Sequence, residues 1–276
     1  MRISIVAILT MLIPAASAAG EPVYPWLTRT PVRTIVDSFA PPSGFVRAPA
    51  ADGSFGAWLR HLPLAPEGTP VRFYDGSEEP DQSEVAAVID IDVGGANLQQ
   101  CADAIIRLRA EYLFSRGAAA DLAFDFTSGD RYRFQSFAEG VTPAVAGAKV
   151  TWRTGKRRGL LHDSLRRWLD IVFNYAGTLS LSRELHPVPR LSDAAIGDVL
   201  VHGGTPGHAV LIVDLAVDPT SGRKLALLAQ GFMPAQSVHV LRNPLAPDLS
   251  PWFALADDRP IVMPEWMLRP DELRRF

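Results

Sequence analysis

Two short runs constrain this chain more than anything else in it. Ala209 to Val217 is apolar and rich in β-branched residues, broken only by Asp214, and Lys224 to Gln230 is nearly as apolar. Between them stands Asp218-Pro219-Thr220-Ser221-Gly222. Runs of this length and composition read as strands, and the intervening residues supply turn chemistry, so the pair predicts an antiparallel hairpin. Gly197-Asp198-Val199-Leu200-Val201 turns into a short strand before it, and Gly203-Gly204-Thr205-Pro206-Gly207 forms a second turn. Val238-His239-Val240-Leu241 adds a strand after it. An antiparallel meander is therefore expected over about residues 196–242.

Helical spacing dominates the middle of the chain. Leu98, Cys101, Ile105, Leu108 and Tyr112 share one face of a helix. Asn97 is its expected N-cap, Gln100 stands at the capping-box position, and Gly117 ends it. Leu165, Trp168, Leu169 and Val172 mark a second amphipathic helix over Leu161 to Phe173. Val85 to Val93 reads as a strand, and Ser54 to Leu59 as a short helix stopped by Pro63. Residues 19–84 are otherwise irregular, with Pro22, Pro25, Pro31, Pro41, Pro42 and Pro49 excluding long elements from their first part. Residues 118–160 read as an insertion, a strand pair followed by an exposed loop carrying Lys156-Arg157-Arg158. The expected class is α+β.

The 276 residues include 47% hydrophobic ones, enough for a sizeable core, and carry 27 Lys+Arg against 30 Asp+Glu. This balance offers no basic field for a phosphate backbone, so a nucleic-acid partner is not expected. Met1-Arg2, the apolar run Ile3 to Ile13 and Ala16-Ser17-Ala18 have the form of a secretory signal peptide over residues 1–18, leaving 19–276 as one domain. No later stretch has the length of a membrane span. Export to the periplasm or the exterior is expected, and oligomeric state is not set by the sequence.

Export makes Cys101 informative, since it is the sole cysteine and has no partner for an intramolecular disulfide. Three alternatives stand for it: an inert buried thiol, an intermolecular bridge, or a nucleophile. Near the start of a helix the macrodipole favours a thiolate and lowers its pKa. His208 follows the glycine-rich turn and opens an apolar strand, where packing does not call for a polar ring, and a cysteine nucleophile needs such a base. Gln230 is an isolated polar group ending the neighbouring strand, placed to orient an imidazole. Gln99 and Gln100 carry amides that can donate to an oxyanion. Asp90 and Asp92 share a strand face, a pattern that suits solvated charges better than a cation site. His202 and His208 fit no standard zinc spacing, so neither metal nor cofactor is expected.

Ile196 to Val201 followed by Gly207-His208-Ala209-Val210-Leu211-Ile212-Val213 resembles the signature of papain-like cell-wall hydrolases of the NlpC/P60 and CHAP type. The resemblance implies a papain-like core, a helix carrying cysteine packed on an antiparallel sheet, with Cys101 as nucleophile, His208 as base and Gln230 as orienting group. It covers residues 97–116 and 194–242, and the Asp-Cys-Ser-Gly surround of those families is absent. It implies hydrolysis of amide bonds in peptidoglycan peptides or a related envelope substrate. A non-catalytic envelope binding or scaffolding protein on the same fold, and an acyltransferase, are the alternatives. Leu98 to Asp103, Arg107 to Tyr112, Tyr175 to Ser180, Pro206 to Ala209 and Leu228 to Gln230 also resemble a secreted bacterial family, domain of unknown function 4846, which implies no activity.

Overall fold

The computed structural model describes residues 23–276; the expected signal peptide lies outside them. The architecture is α+β, built on a large antiparallel sheet. Its strands run in the order Val85–Val88, His239–Leu241, Lys224–Gln230, His208–Val217, Val199–His202, Leu273–Arg275, His186–Pro187. The four from Val199 to Leu241 are sequence neighbours and form the meander. Val46–Arg47 pairs with the far end of His208–Val217, and Trp252–Leu255 with the first half of Lys224–Gln230. The two central strands are buried on both faces, which explains their near-continuous apolar character.

Strand alternation sorts their side chains into two cores. Ala209, Leu211 and Val213, with Leu225, Leu227 and Ala229, enter the larger core beneath the helices. Val210, Ile212, Ala226 and Leu228 enter the second, closed by Ile261, Met263 and Leu268 from the C-terminal segment. The register shifts beside Leu227 and Leu228, opposite Asp214 and Ile212. Asp214, the one charge in the apolar run, is fully buried and paired with Arg47 and with Arg60 at 2.7 Å. A buried carboxylate persists only with such partners.

The helix expected from Asn97 spans Cys101–Ser115. Asn97 is drawn elsewhere, its Oδ1 accepting the Ala235 N–H at 2.8 Å and tying the approach segment to the sheet. Asp103 takes over the start of the helix, accepting the Gln100 N–H at 3.1 Å. The second long helix, His162–Tyr175, buries Leu165, Trp168, Leu169 and Val172 as its spacing predicts. Residues 118–160 hold two hairpins, Ala123–Asp125 with Arg131–Arg133 and Val141–Ala146 with Lys149–Thr154, separated by the helix Phe134–Ala138. Phe124, Phe126, Tyr132 and Phe134 from this segment reach the larger core. Arg158 is also engaged, its guanidinium 4.4 Å from the Phe137 ring centre. Among the described residues no helix is long and apolar enough to cross a membrane.

Candidate active site

Cys101 is the first residue of its helix, and the helix start rests on the ends of the two central strands. Gly231, just past Gln230, permits the approach: a Cβ there would stand 3.1 Å from the Gln100 carbonyl oxygen and 3.2 Å from the Ala104 Cβ. The backbone N–H of Ala209, the neighbour of His208, lies near enough to the sulfur to favour its thiolate form. The sulfur makes no hydrogen bond to the His208 ring, whose Nδ1 has no partner among the described residues. Alternation turns Ala209 toward the helix and His208 away from it, so thiol and imidazole share only the rim where the strand begins.

The thiol is not the low-pKa group that a helix N-terminus suggests. Burial, reinforced by the Asp103 carboxylate, pushes Cys101 up to about 11, against smaller opposing contributions from the N–H groups of Ala102 and Ala209. Asp103 is itself pushed up to about 8 by burial, only partly offset by the N–H groups it accepts. Its Oδ1 is buried with no hydrogen-bond partner among the described residues. At neutral pH the thiol is therefore protonated, and desolvation outweighs the dipole.

The sheet rim holds the other half of the site. The His208 and Gln230 side chains meet at 2.8 Å, Nε2 to Oε1. The Gln230 amide nitrogen lies 3.1 Å from both carboxylate oxygens of Glu265, which fixes the amide's orientation. With Oε1 accepting, His208 Nε2 must donate, and Nδ1 is left as a bare acceptor. His239, the cross-strand partner of Gln230, lies behind it, with its Nε2 3.5 Å from the Gln230 nitrogen. Phe232 and Trp266 cover the His208 ring, at 5.3 and 5.6 Å between centroids. Burial lowers the His208 pKa, opposed by Gln230 and Glu265 and assisted by His239. The imidazole is held neutral.

Gln99 does not reach the site opening. Its amide nitrogen donates to the Asp92 carbonyl at 3.3 Å and its Oε1 accepts from Arg107 at 3.3 Å. The fully buried Arg107 needs acceptors, and Gln99 serves as one. Both ends of the Gln99 amide are thereby engaged. Gln100 is only partly buried and donates to Asn97 Oδ1 at 3.2 Å, so its amide stays near the helix start. Asp90 and Asp92 pair with arginines, Asp90 with Arg29 and Asp92 with Arg107 and Arg166. Among the described residues no group of three or more His, Cys, Asp or Glu side chains is arranged to hold a metal. His202 faces His208 across the strand pair but is bound to Glu272 at 2.6 Å.

The features just described, the cysteine-bearing helix start, the His208 strand and the Gln230 strand, all lie inside the segment 35–275 that one family model matches. The chain belongs to the family described as Domain of unknown function (4846). No curated protein and no solved structure matches it significantly. The 4846 match spans both buried cores as well as the rim. Glu265, which sets the Gln230 amide, is the residue that sequence reasoning missed. It lies between the paired strands Ile261–Val262 and Met267–Leu268, and no local pattern distinguishes it from an ordinary turn carboxylate.

Proposed function

We propose that this member of the 4846 family is an exported thiol hydrolase with a papain-like core, cleaving amide bonds of envelope peptides. One observation supports the reading: His208 donates through Nε2 to a pinned Gln230, leaving Nδ1 buried and without a partner among the described residues, in the residue next to Ala209, whose N–H neighbours the Cys101 sulfur. A base held in one tautomer, with its acceptor nitrogen free, is the arrangement that general-base activation of a thiol requires.

Because Cys101 is raised and His208 lowered, the resting pair is neutral. The proton then moves only as the sulfur attacks: Cys101 Sγ bonds to the carbonyl carbon while its hydrogen passes, through water at the start of the strand, to His208 Nδ1 on the other face. The imidazolium returns that proton to the leaving amine as the C–N bond breaks. Water, deprotonated by the same nitrogen, hydrolyses the thioester and restores the thiol. Gln230 holds the ring throughout, and the Gln100 amide with the first N–H groups of the helix faces the developing oxyanion.

The test is the reactivity of the native thiol. Iodoacetamide should label Cys101 at pH 7.5, and His208→Ala should slow labelling by about a hundredfold or more. Cys101→Ala should abolish release of new amino groups from peptidoglycan with little change in melting temperature. A thiol that labels only after unfolding would end the hydrolase reading. The burial of Cys101, 5% exposed, favours the second reading, a non-catalytic envelope binding protein, and that result would select it.

A further inference from the structure

We propose that the cavity behind Gln230, lined by Glu79, Asp81, Glu84, Glu265, Gln236 and His239, is a binding site for an alkylammonium group. Its volume is about 280 Å³, and no Lys or Arg lines it. Four carboxyl groups around one space repel one another. Burial, and then the neighbouring carboxyl groups, Glu265 first, push Glu84 up to about 7. The arginines nearby are used elsewhere: Arg72 pairs with Glu78, and Arg242 donates through Nε to the Val85 carbonyl.

A second observation points to a ligand. Gln236 lines the same cavity, is 3% exposed, and its Oε1 has no hydrogen-bond partner among the described residues. His239 is equally buried, and its Nδ1 is engaged with the Ser237 carbonyl at 3.0 Å. The polar lining is thus dominated by acceptors, one of them orphaned. A buried acceptor without a donor is destabilising, and an N–H-rich cation satisfies it. The remaining wall is apolar, from Val71, Val85, Phe232 and Met233. That wall suits an alkyl stem and distinguishes the site from one for a hydrated metal ion, whose ligands would all be oxygen.

Glu265 connects this cavity to the candidate active site, since the same carboxylate accepts from Gln230. Phe232 is shared too, lining the cavity and packing edge-on against His208. A bound ammonium would sit one side chain from the group that orients the base. Assigning that ammonium to the substrate rests on the hydrolase reading; the binding itself does not.

The experiment is calorimetric titration of the purified protein with Nα-acetyl-lysine amide, and with Nα,Nε-diacetyl-lysine amide as its uncharged twin. Saturable binding of the first, weakened about tenfold or more in the second, is expected. Glu84→Gln and Asp81→Asn should each weaken it severalfold with unchanged melting temperatures. Alaninamide separates the two sources of an ammonium: tighter binding than the lysine probe assigns the site to a chain-terminal amine, weaker binding to a side chain. Equal binding of the diacetyl probe, no saturable heat up to about 10 mM, or full binding by Glu84→Gln would overturn the proposal. Cys101→Ala, titrated alongside, should bind as wild type. Amine binding with an unreactive Cys101 would retain the cation site and remove the hydrolase.

Discussion

Two polar clusters, each with a buried centre and an exposed carboxylate at its edge, Asp92 in one and Glu265 in the other, flank the start of the cysteine-bearing helix, and they differ in how their central groups are satisfied. In the first, Arg107 is fully buried, with Nε on Glu111 at 2.6 Å, Nη1 on Gln99 and Nη2 on Asp92. Glu111 also contacts His162 at 2.8 Å. In the second, His208, Gln230, His239 and Glu265 are linked, but His208 Nδ1 is left bare. A central cation whose nitrogens all find acceptors, as those of Arg107 do, fixes one packing arrangement, even though the Arg166 that shares Asp92 leaves its own Nη1 without a partner among the described residues. An unsaturated centre retains a destabilising group, and such groups concentrate where chemistry or binding uses them. The contrast separates a structural cluster from a functional one only a few residues apart in the fold.

Substitutions should act on the two clusters through different observables. Arg107→Ala has the largest expected effect, a loss of about 3–5 kcal/mol of stability by denaturant unfolding, because Glu111 stays buried with His162 as its remaining partner. Gln230→Ala should leave stability closer to wild type yet slow Cys101 alkylation by about a hundredfold, since the ring loses the acceptor that fixes its tautomer. If Arg107→Ala proved mild, or if Gln230→Ala cost more stability than reactivity, the division would fail.

Asp103 sharpens the contrast through pH. Its folded-state pKa of about 8 lies above the ordinary carboxylate value, so the native state binds the extra proton. Stability from this group is therefore present below about pH 4 and lost progressively up to about pH 8. Asp103→Asn keeps an acceptor for the Gln100 N–H and removes the titration. The variant should gain stability relative to wild type between those limits and hold a constant advantage above them. A difference between the two that did not change with pH would show that the carboxyl is not desolvated.

The sequence carried the meander and the two long helices because each rests on a local period. The hairpin of Ala209–Val217 and Lys224–Gln230 follows from β-branched runs around a turn, and the strands observed are His208–Val217 and Lys224–Gln230. The start of the cysteine helix was less legible, since Asn97 and Asp103 both offer capping chemistry and only the sheet, through Ala235, decides between them. The folding of residues 118–160 into two hairpins depends on aromatic contacts with Trp168, such as those of Phe124, Tyr132 and Phe134. Those contacts have no local signature. Within the site, His208 and Gln230, whose side chains meet, are legible because a polar residue at the end of an apolar strand is conspicuous. Glu265 was not, because its partner lies 35 residues upstream and a carboxylate in a turn is ordinary. The thiol's raised pKa is hidden from the sequence for a related reason: helix position is visible there, whereas desolvation depends on what covers the sulfur.

The smallest expected effect is the most discriminating one for the open cluster. Glu265→Gln preserves side-chain volume and an oxygen that can accept from Gln230, so stability and the Gln230 contact to His208 should change little. What disappears is a negative charge that favours the imidazolium, one of the influences raising His208 against the burial that lowers it. Without it the protonated ring is disfavoured further, and His208 stays neutral to a lower pH. The acidic limb of the pH dependence of Cys101 alkylation should then move toward lower pH, by less than about one unit, with the rate on the plateau within about threefold of wild type. A merely structural Glu265 would lower melting temperature and leave the limb where it was. A shift of the limb in the opposite direction would mean that the carboxylate acts on the thiol and not on the base, which would break the assignment of Glu265 to the His208 side of the site.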